Sequence, residues 1–410
     1  MVGSGIAGLG AAWLLSRAHD VVLFEANARL GGHTHTHRVA QAGREYAVDT
    51  GFIVYNAHNY PLLARMFEEL GVASQPTTMG FSVQDARSGL EYNATSLRGM
   101  FCQPRNLVSP QFLRMAHEIT RFYRESPALL ESPGEGPTLG DYLHANGYSP
   151  MFVRDHIVPM ASALWSSPTD AILAFPARYL VRFMANHRML QVAERPEWRV
   201  VTGGSDSYVR ALQADWRVQV RLAAPVRRLR RTGGGIKLES ADGSEEAFDQ
   251  VVLACHADDA LALLSDADDT ERTVLGAFTF QDNETVLHTD ARLLPTRRAA
   301  WAAWNAHVPA TPGAPCTVSY CMNLLQSLES PEPFVVTLNR SADIDPAKVL
   351  ARMRYRHPLY THASVAAQGR RADVQGRRAT WFCGAYWGFG FHEDGLRSGV
   401  DVARALGVDW

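Results

Sequence analysis

Hydrophobic positions change their period several times along the chain, and each change predicts an element. "LGAAWLLSRA" (9–18) is largely apolar, with small residues spaced through it. That pattern predicts a helix pressed against a sheet. "DVVLFE" (20–25) is a short apolar strand that ends on an acid, and "HTHRVAQAGREYAVD" (35–49) reads as an exposed strand. From about Tyr60 to Gln191 the pattern is helical, punctuated by Pro76, "ESPGEGP" (131–137) and Pro159. "VVTGGSDSYVRAL" (200–212) reads as a strand end, a Gly-Gly turn and a helix. The run 218–261 is β-rich, with hairpin signals at "GGG" (233–235) and "ADG" (241–243), and "VVLACHA" within it is a buried strand. A second sheet-rich block spans about Leu275 to Ala366. The chain closes on a strand from Thr380 to Cys383, an aromatic and glycine-rich loop, and a helix entered at about Leu396, with Asp394 and Gly395 as its capping residues.

Composition narrows the class. The chain has 410 residues, 46% apolar and 20% charged, which is globular and large enough for two domains. Its formal net charge of -2 gives no electrostatic footprint for nucleic acid. Lys237 and Lys348 are the only lysines. Cys102, Cys255, Cys316, Cys321 and Cys383 form no CxxC pair and read as reduced thiols of a cytoplasmic protein. No apolar run reaches the ~18 residues of a membrane span, and the apolar N-terminus lacks the basic region of a signal peptide.

"GSGIAG" supplies the pattern GxGxxG at Gly3, Gly5 and Gly8. A helix, a strand and then Glu25 follow it in register, as a dinucleotide fold requires. The first glycine makes the turn and the second lets backbone approach a pyrophosphate. The helix start at Ser4, Ile6 and Ala7 offers unpaired N–H groups and a positive dipole end. Only Met1 and Val2 precede the turn, so the first strand is expected to be clipped.

After Glu25 and Ala26 the chain continues to Arg29, Leu30, Gly31, Gly32, His33 and Thr34. Here it resembles the flavin amine oxidase and phytoene desaturase superfamily, in which such a segment runs along FAD. His33 stands where many relatives carry arginine. Gly31 and Gly32 permit close backbone approach, and Arg29 can pair with a phosphate. His33, His35 and His37 alternate, but no second ligand set accompanies them, so no metal is expected. The resemblance also places Asp49, Thr50, Gly51 and Phe52 near the flavin, Val226 at the adenine, and Cys255 by the cofactor. It places Gly384, Ala385, Asp394, Gly395, Leu396 and Ser398 at the C-terminal flavin helix. The narrower segments "VDTGFIVYN", "YPLLARMFEELGV", "NETVLHTD" and "GFHEDGLRSG" are similar to bacterial predicted NAD/FAD-binding proteins. The genes of those proteins often lie beside cyclopropane-fatty-acyl-phospholipid synthase homologues.

The expected architecture is α/β (α+β overall). A discontinuous Rossmann-like FAD-binding domain (1–58, 195–272 and 370–410) carries an inserted, mixed helical and β-sheet substrate domain (59–194 and 273–369). The resemblance implies noncovalent FAD and an oxidoreductase that passes hydride from an apolar, fatty-acyl-like substrate to flavin N5. A flavin-dependent double-bond isomerase and an accessory flavin-binding protein remain open beside it. Many amine oxidases hold a water near N5 with a lysine, and the matching "LGAFTFQDNETVLHTD" contains none. Candidate acid–base residues are His288 and His256; Asp282 and Glu284 read as solvated. Among Trp381, Phe382, Tyr386, Trp387, Phe389 and Phe391, the best wall residues for a flavin are Tyr386 and Trp387. The expected partner is a small molecule or lipid, with contact to a membrane surface and oligomeric state left open.

Overall fold

The computed structural model describes residues 1–191, 194–233, 235–311 and 314–410. A parallel sheet forms around the N-terminus. Strand Val21–Phe24 pairs with Val218–Arg221, and Val251–Leu253 pairs with Thr380–Phe382. Val2 bridges the two pairs in parallel, to Phe24 on one side and Leu253 on the other. Its N–H donates to the Val252 carbonyl at 2.9 Å, and its carbonyl accepts from Ala254 N at 2.8 Å. Two residues therefore fill the place of the central strand.

The opening helix Ile6–Leu15 is buried along its whole length. It packs on the closing helix His392–Ala405, on Asp206–Asp215 and on the sheet. Every turn of a helix enclosed in this way must be small or apolar, and "IAGLGAAWLL" is both. The closing helix begins at His392, four residues earlier than its expected start. Asp394 caps it from inside the first turn by accepting a hydrogen bond from Phe391 N at 3.1 Å.

A second, seven-stranded sheet lies beyond. Its order runs Val349–Leu359, Thr279–His288, Val335–Leu338, Thr317–Cys321, Trp304–Val308, Phe81–Asp85 and Leu90–Asn93. The last two strands fall inside the stretch expected to be helical. "FSVQD" and "LEYN" bury residues on both faces, which blurs the period that marks a half-exposed strand. Strand Phe81–Asp85 joins the sheet by parallel pairing with Trp304–Val308, so the two inserted stretches meet in one sheet. The helix Pro61–Glu69 was expected with this insertion. Instead its Leu63, Met66 and Phe67 pack in the same core as the opening helix. The "HTHRVAQAGREYAVD" run is a hairpin, Thr36–Gln41 with Arg44–Asp49. The "ADG" turn joins two paired strands. Gly235 of the "GGG" signal pairs with Thr232, while Gly234 lies outside the described residues. No described helix is long and apolar enough to cross a membrane.

Candidate active site

Backbone geometry at the glycine turn separates the roles of its three glycines. Gly3 has φ +99°, and a Cβ there would lie 2.8 Å from the Ala254 carbonyl oxygen. A Cβ on Gly8 would lie 2.1 Å from the Gly3 carbonyl oxygen. These two glycines allow tight packing. A Cβ on Gly5 meets nothing within 4 Å, and no side chain caps the helix that starts there. The helix start is thus uncapped by any side chain and open beside Gly5.

The loop after Glu25 folds back on this turn. A Cβ on Gly32 would lie 3.0 Å from the Gly5 Cα. Ser4 links the two segments: its N–H and hydroxyl both donate to Glu25 Oε2, at 3.0 and 2.6 Å. Its carbonyl accepts from Gly31 N at 3.0 Å. The other oxygen of Glu25 accepts from Asn27 N and Nδ2 at 2.8 and 2.7 Å. Glu25 therefore organises the turn, with Ala26 exposed next to it. Arg29, expected on a phosphate, instead donates to the carbonyls of Leu30, Gly32 and Thr34 at 3.3, 2.7 and 3.0 Å. Its fork shapes the loop because the Gly-Gly bend turns three carbonyls inward.

Both chain ends meet here. A Cβ on Gly395 would lie 2.7 Å from Ile6 Cγ2, with Ala7 N and the Ala385 Cβ 3.7 Å away. The starts of the opening and closing helices thus lie side by side, and both positive dipole ends face one region. Ser398 fixes the Gly384 turn to the closing helix; its hydroxyl accepts from Gly384 N at 2.8 Å and donates to the Gly395 carbonyl at 2.7 Å. Leu396 is fully buried and packs over Gly10. Cys255 and Ala254 border Gly3. Val226 starts the strand that follows Ala223 and Ala224, whose N–H groups bond to the Asn27 and Glu25 carbonyls at 2.8 and 2.9 Å.

A histidine cluster joins the cofactor loop to the large sheet. The His33 ring lies 5.3 Å from His357, 5.1 Å from Tyr355 and 6.1 Å from His256. Its Nε2 is buried without a partner. Phe52 N donates to the His33 carbonyl at 2.9 Å, and Thr50 Oγ1 bonds to the Tyr355 hydroxyl at 2.9 Å. A Cβ on Gly51 would collide with the His33 carbonyl at 2.0 Å. Asn283 Nδ2 donates to His357 Nδ1 at 2.9 Å. Burial lowers the His33 imidazole well below its ordinary range, with His357, His256 and His392 adding to the effect. Burial also lowers His357 to about 4 and His392 to about 3. Neutral imidazoles therefore line this junction near pH 7. His35 and His37 stack on each other at 4.0 Å.

Several contributors escaped sequence reasoning. His392 stacks on Phe52 at 3.7 Å and bonds to Thr34 Oγ1 at 3.0 Å, next to Tyr208. Asp49, which the resemblance had placed near the flavin, is fully buried and accepts from Thr36 Oγ1, Ser205 and Gln326, and burial raises it to about 6. The signal for Tyr355 and His357 was the alternation in "RYRHP". The expectation for His288 fails. Phe280, near the start of the strand Thr279–His288, stacks on His256 at 4.4 Å, whereas His288 ends that strand roughly 26 Å away at a strand's rise per residue. Both its ring nitrogens are engaged: Nε2 with Thr337 Oγ1 at 2.8 Å, and Nδ1 accepting from Asp290 N at 3.0 Å. It is a structural residue because the strand carries it to the far end of the sheet.

Tyr386 packs against Phe278 at 4.9 Å and Trp387 at 5.0 Å, with its buried hydroxyl unpartnered. Trp387 Nε1 donates to the Phe382 carbonyl at 3.2 Å. Phe389 and Phe391 leave this wall and pack on Phe183, in the helical core. Lys237 lies in the strand Gly235–Ser240 opposite Arg230, and Lys348 pairs with Glu332 at 3.4 Å, so neither joins the site.

Residues 6–274 match the family described as flavin containing amine oxidoreductase. The chain belongs to that family. Its cofactor is FAD, and the open Gly5 backbone with the paired helix starts fits a dinucleotide. A provisionally named flavin-containing monoamine oxidase, AofH of Mycobacterium tuberculosis, is 28% identical over 260 residues, covering 60% of this chain and 54% of that protein. The chain thus spans about half the length of the curated relatives it matches. Among solved structures, a CLA-producing fatty acid isomerase from P. acnes is 16% identical with a TM-score of 0.67, covering 99% of this chain and 98% of that one. Cyclohexylamine oxidase from Brevibacterium oxydans is 16% identical with a TM-score of 0.67, covering 99% and 97%. At such identities the likeness establishes the fold alone.

Proposed function

We propose that this flavin-containing amine oxidoreductase relative is an FAD-dependent oxidoreductase acting on an apolar, fatty-acyl-like substrate. The carrying observation is the convergence at one place of the glycine turn, both helix starts and the end of the large sheet. In this reading Gly3, Ser4, Gly5, Ile6, Ala7 and Gly8 hold the pyrophosphate and Glu25 the ribose. Ala26, Val226 and Cys255 border the adenosine half. Gly31 to Thr34, Thr50, Gly51 and Phe52 line the flavin half with Gly384, Ala385 and the closing helix. The division is a cofactor unit of 1–58, 195–272 and 370–410, extended by the packing of 61–76, and a substrate unit of the remaining residues.

FAD bound there supplies hydride acceptance at N5. The protein's own part is to orient and to exclude water. Tyr386, Trp387 and Phe278 wall the site with rings, and Asn283 orients His357 toward His33. Burial and the mutual proximity of the rings disfavour the imidazolium form of His33 and His357, so both keep this wall uncharged near pH 7. With both lysines elsewhere, amine oxidation has no lysine-held water to draw on, which supports a substrate other than an amine. Cofactor attachment is read as noncovalent, which the burial of the Cys383 thiol supports, since burial disfavours the thiolate that would attack a flavin.

A second reading, double-bond isomerisation without net redox, is supported by the structural likeness to a fatty acid isomerase over nearly the full chain. Anaerobic incubation with unsaturated fatty acids, acyl lipids and amines, followed spectroscopically and by product analysis, separates the readings. Flavin bleaching with oxidised lipid product supports the oxidoreductase. Shifted double bonds without bleaching support the isomerase, and bleaching by amines alone contradicts the apolar-substrate reading.

A further inference from the structure

Seven large apolar side chains are strongly exposed among the described residues, and four of them lie within one short stretch: Leu97, Leu107, Val108 and Leu113. Leu97 is 79% exposed and Val108 78%. Isolated exposed leucines are ordinary, but a concentration of them on one surface marks an interaction site. They project from three consecutive elements: the short helix Leu97–Met100, the turn Pro104–Leu107 and the first turns of the helix Pro110–Glu125.

Their base is fixed. Ser96 Oγ accepts from Gly99 N at 3.1 Å, and Ser109 Oγ accepts from Phe112 N at 3.3 Å. Asn106 Nδ2 donates to the Met100 and Glu91 carbonyls, and Gln103 Nε2 donates to the Gly89 carbonyl at 2.9 Å. Phe112 and Met115 are buried beneath. The protruding side chains are therefore held out by a rigid platform.

Charge around them has one sign. Between residues 94 and 117 the sequence carries Arg98, Arg105 and Arg114 and no acid, in a chain whose formal net charge is -2. Arg114 bonds to Glu118 at 3.0 Å, while Arg105 donates to Gln103 Oε1 and the Ser88 carbonyl at 3.2 and 3.1 Å and, like Arg98, has no carboxylate partner among the described residues. The short helix packs on the turn Arg298–Ala300, which brings Arg297 and Arg298 to the same side. The carboxylates nearby, Asp85, Glu91 and Glu118, are all buried, and Glu91 accepts from Thr296 N and Arg297 N at 2.7 and 3.0 Å.

We propose that the surface of Leu97, Leu107, Val108 and Leu113, ringed by Arg98, Arg105, Arg297 and Arg298, docks on an anionic lipid bilayer. Separate apolar knobs flanked by arginines suit insertion between headgroups and pairing with lipid phosphates. The inference does not depend on which reaction the flavin performs.

The test is co-sedimentation of the FAD-loaded full chain with vesicles of phosphatidylcholine alone or mixed with phosphatidylglycerol. Binding is expected to the anionic vesicles and to weaken with added salt. L97S/V108S and R98E are each expected to lower partitioning by roughly tenfold, with flavin content and melting temperature unchanged because these side chains are exposed. Absence of binding to anionic vesicles at low salt overturns the proposal, as does equal binding by L97S/V108S. Self-association that disappears in L97S/V108S, without vesicle binding, assigns the face to a second copy and also overturns it.

Discussion

Gly399 of the closing helix sits so close to Ala7 of the opening helix that a Cβ at 399 would lie 2.4 Å from the Ala7 carbonyl oxygen. The obstacle is backbone, which cannot rotate aside. Gly399→Ala should therefore push the two helices apart, although alanine is the better helix former by about 1 kcal/mol. The expected net cost is about 1–3 kcal/mol, with reduced FAD retention, since the same contact sets the two helix starts beside each other. Gly369→Ala is the control: its Cβ would meet nothing within 4 Å, so that variant should be neutral or slightly more stable. Melting curves and flavin content of both variants decide this, and an equally stable Gly399→Ala would refute the close contact.

Glu25 accepts hydrogen bonds from Ser4 and Asn27 before any ligand is considered. Glu25→Ala should weaken FAD binding by about 1.5–3 kcal/mol, roughly ten- to a hundredfold. It should also lower the melting temperature of the flavin-free protein, because Ser4 N and Asn27 N lose their acceptor. An unchanged FAD dissociation constant, measured by fluorescence titration, would show that Glu25 serves the turn alone.

His288→Ala separates structure from chemistry. Leaving Asp290 N and Thr337 Oγ1 without their buried partner should cost about 1–3 kcal/mol of stability. The rate of flavin reduction per bound FAD should stay at its wild-type value. A loss of rate at unchanged stability would return His288 to the active site.

Much of the cofactor site was legible because its constraints are local. Gly3, Gly8 and Glu25 must stand at fixed spacing for a turn and a strand end to meet. The roles of His357, Tyr355 and His392 were not legible, since they reach Thr34, Thr50 and His33 across more than 300 residues of sequence. His288 misled for a related reason. A histidine on a substrate-side strand looks catalytic, but ten residues of strand carry it to the end remote from Phe280. The strands Phe81–Asp85 and Leu90–Asn93 were hidden because burial on both faces erases alternation. Arg29 looked like a phosphate ligand because the sequence does not reveal that the Gly-Gly bend aims three carbonyls at it.

Stability should fall on acidification. Burial lowers His156 and His392 to about 3, and His187, His288, His307 and His357 to about 4. Their unfolded value lies near ~6.5. Stability from these groups is complete above the unfolded value and is lost as pH falls toward the folded ones. Asp49 and Asp394, raised to about 6 by burial, act in the opposite sense between their unfolded value and 6. Six histidines outweigh two carboxylates, so the melting temperature should drop between about pH 6.5 and pH 4.5. A flat or rising profile would contradict the burial of these imidazoles.

We propose that both chain ends hold one FAD without a covalent bond. The most direct measurement is the flavin content of purified protein, before and after acid precipitation, with the released flavin identified by chromatography. The account predicts yellow protein, close to one flavin per chain, and FAD recovered entirely in the supernatant. Flavin left in the pellet, FMN in place of FAD, or a folded protein that takes up no FAD when it is supplied would contradict it.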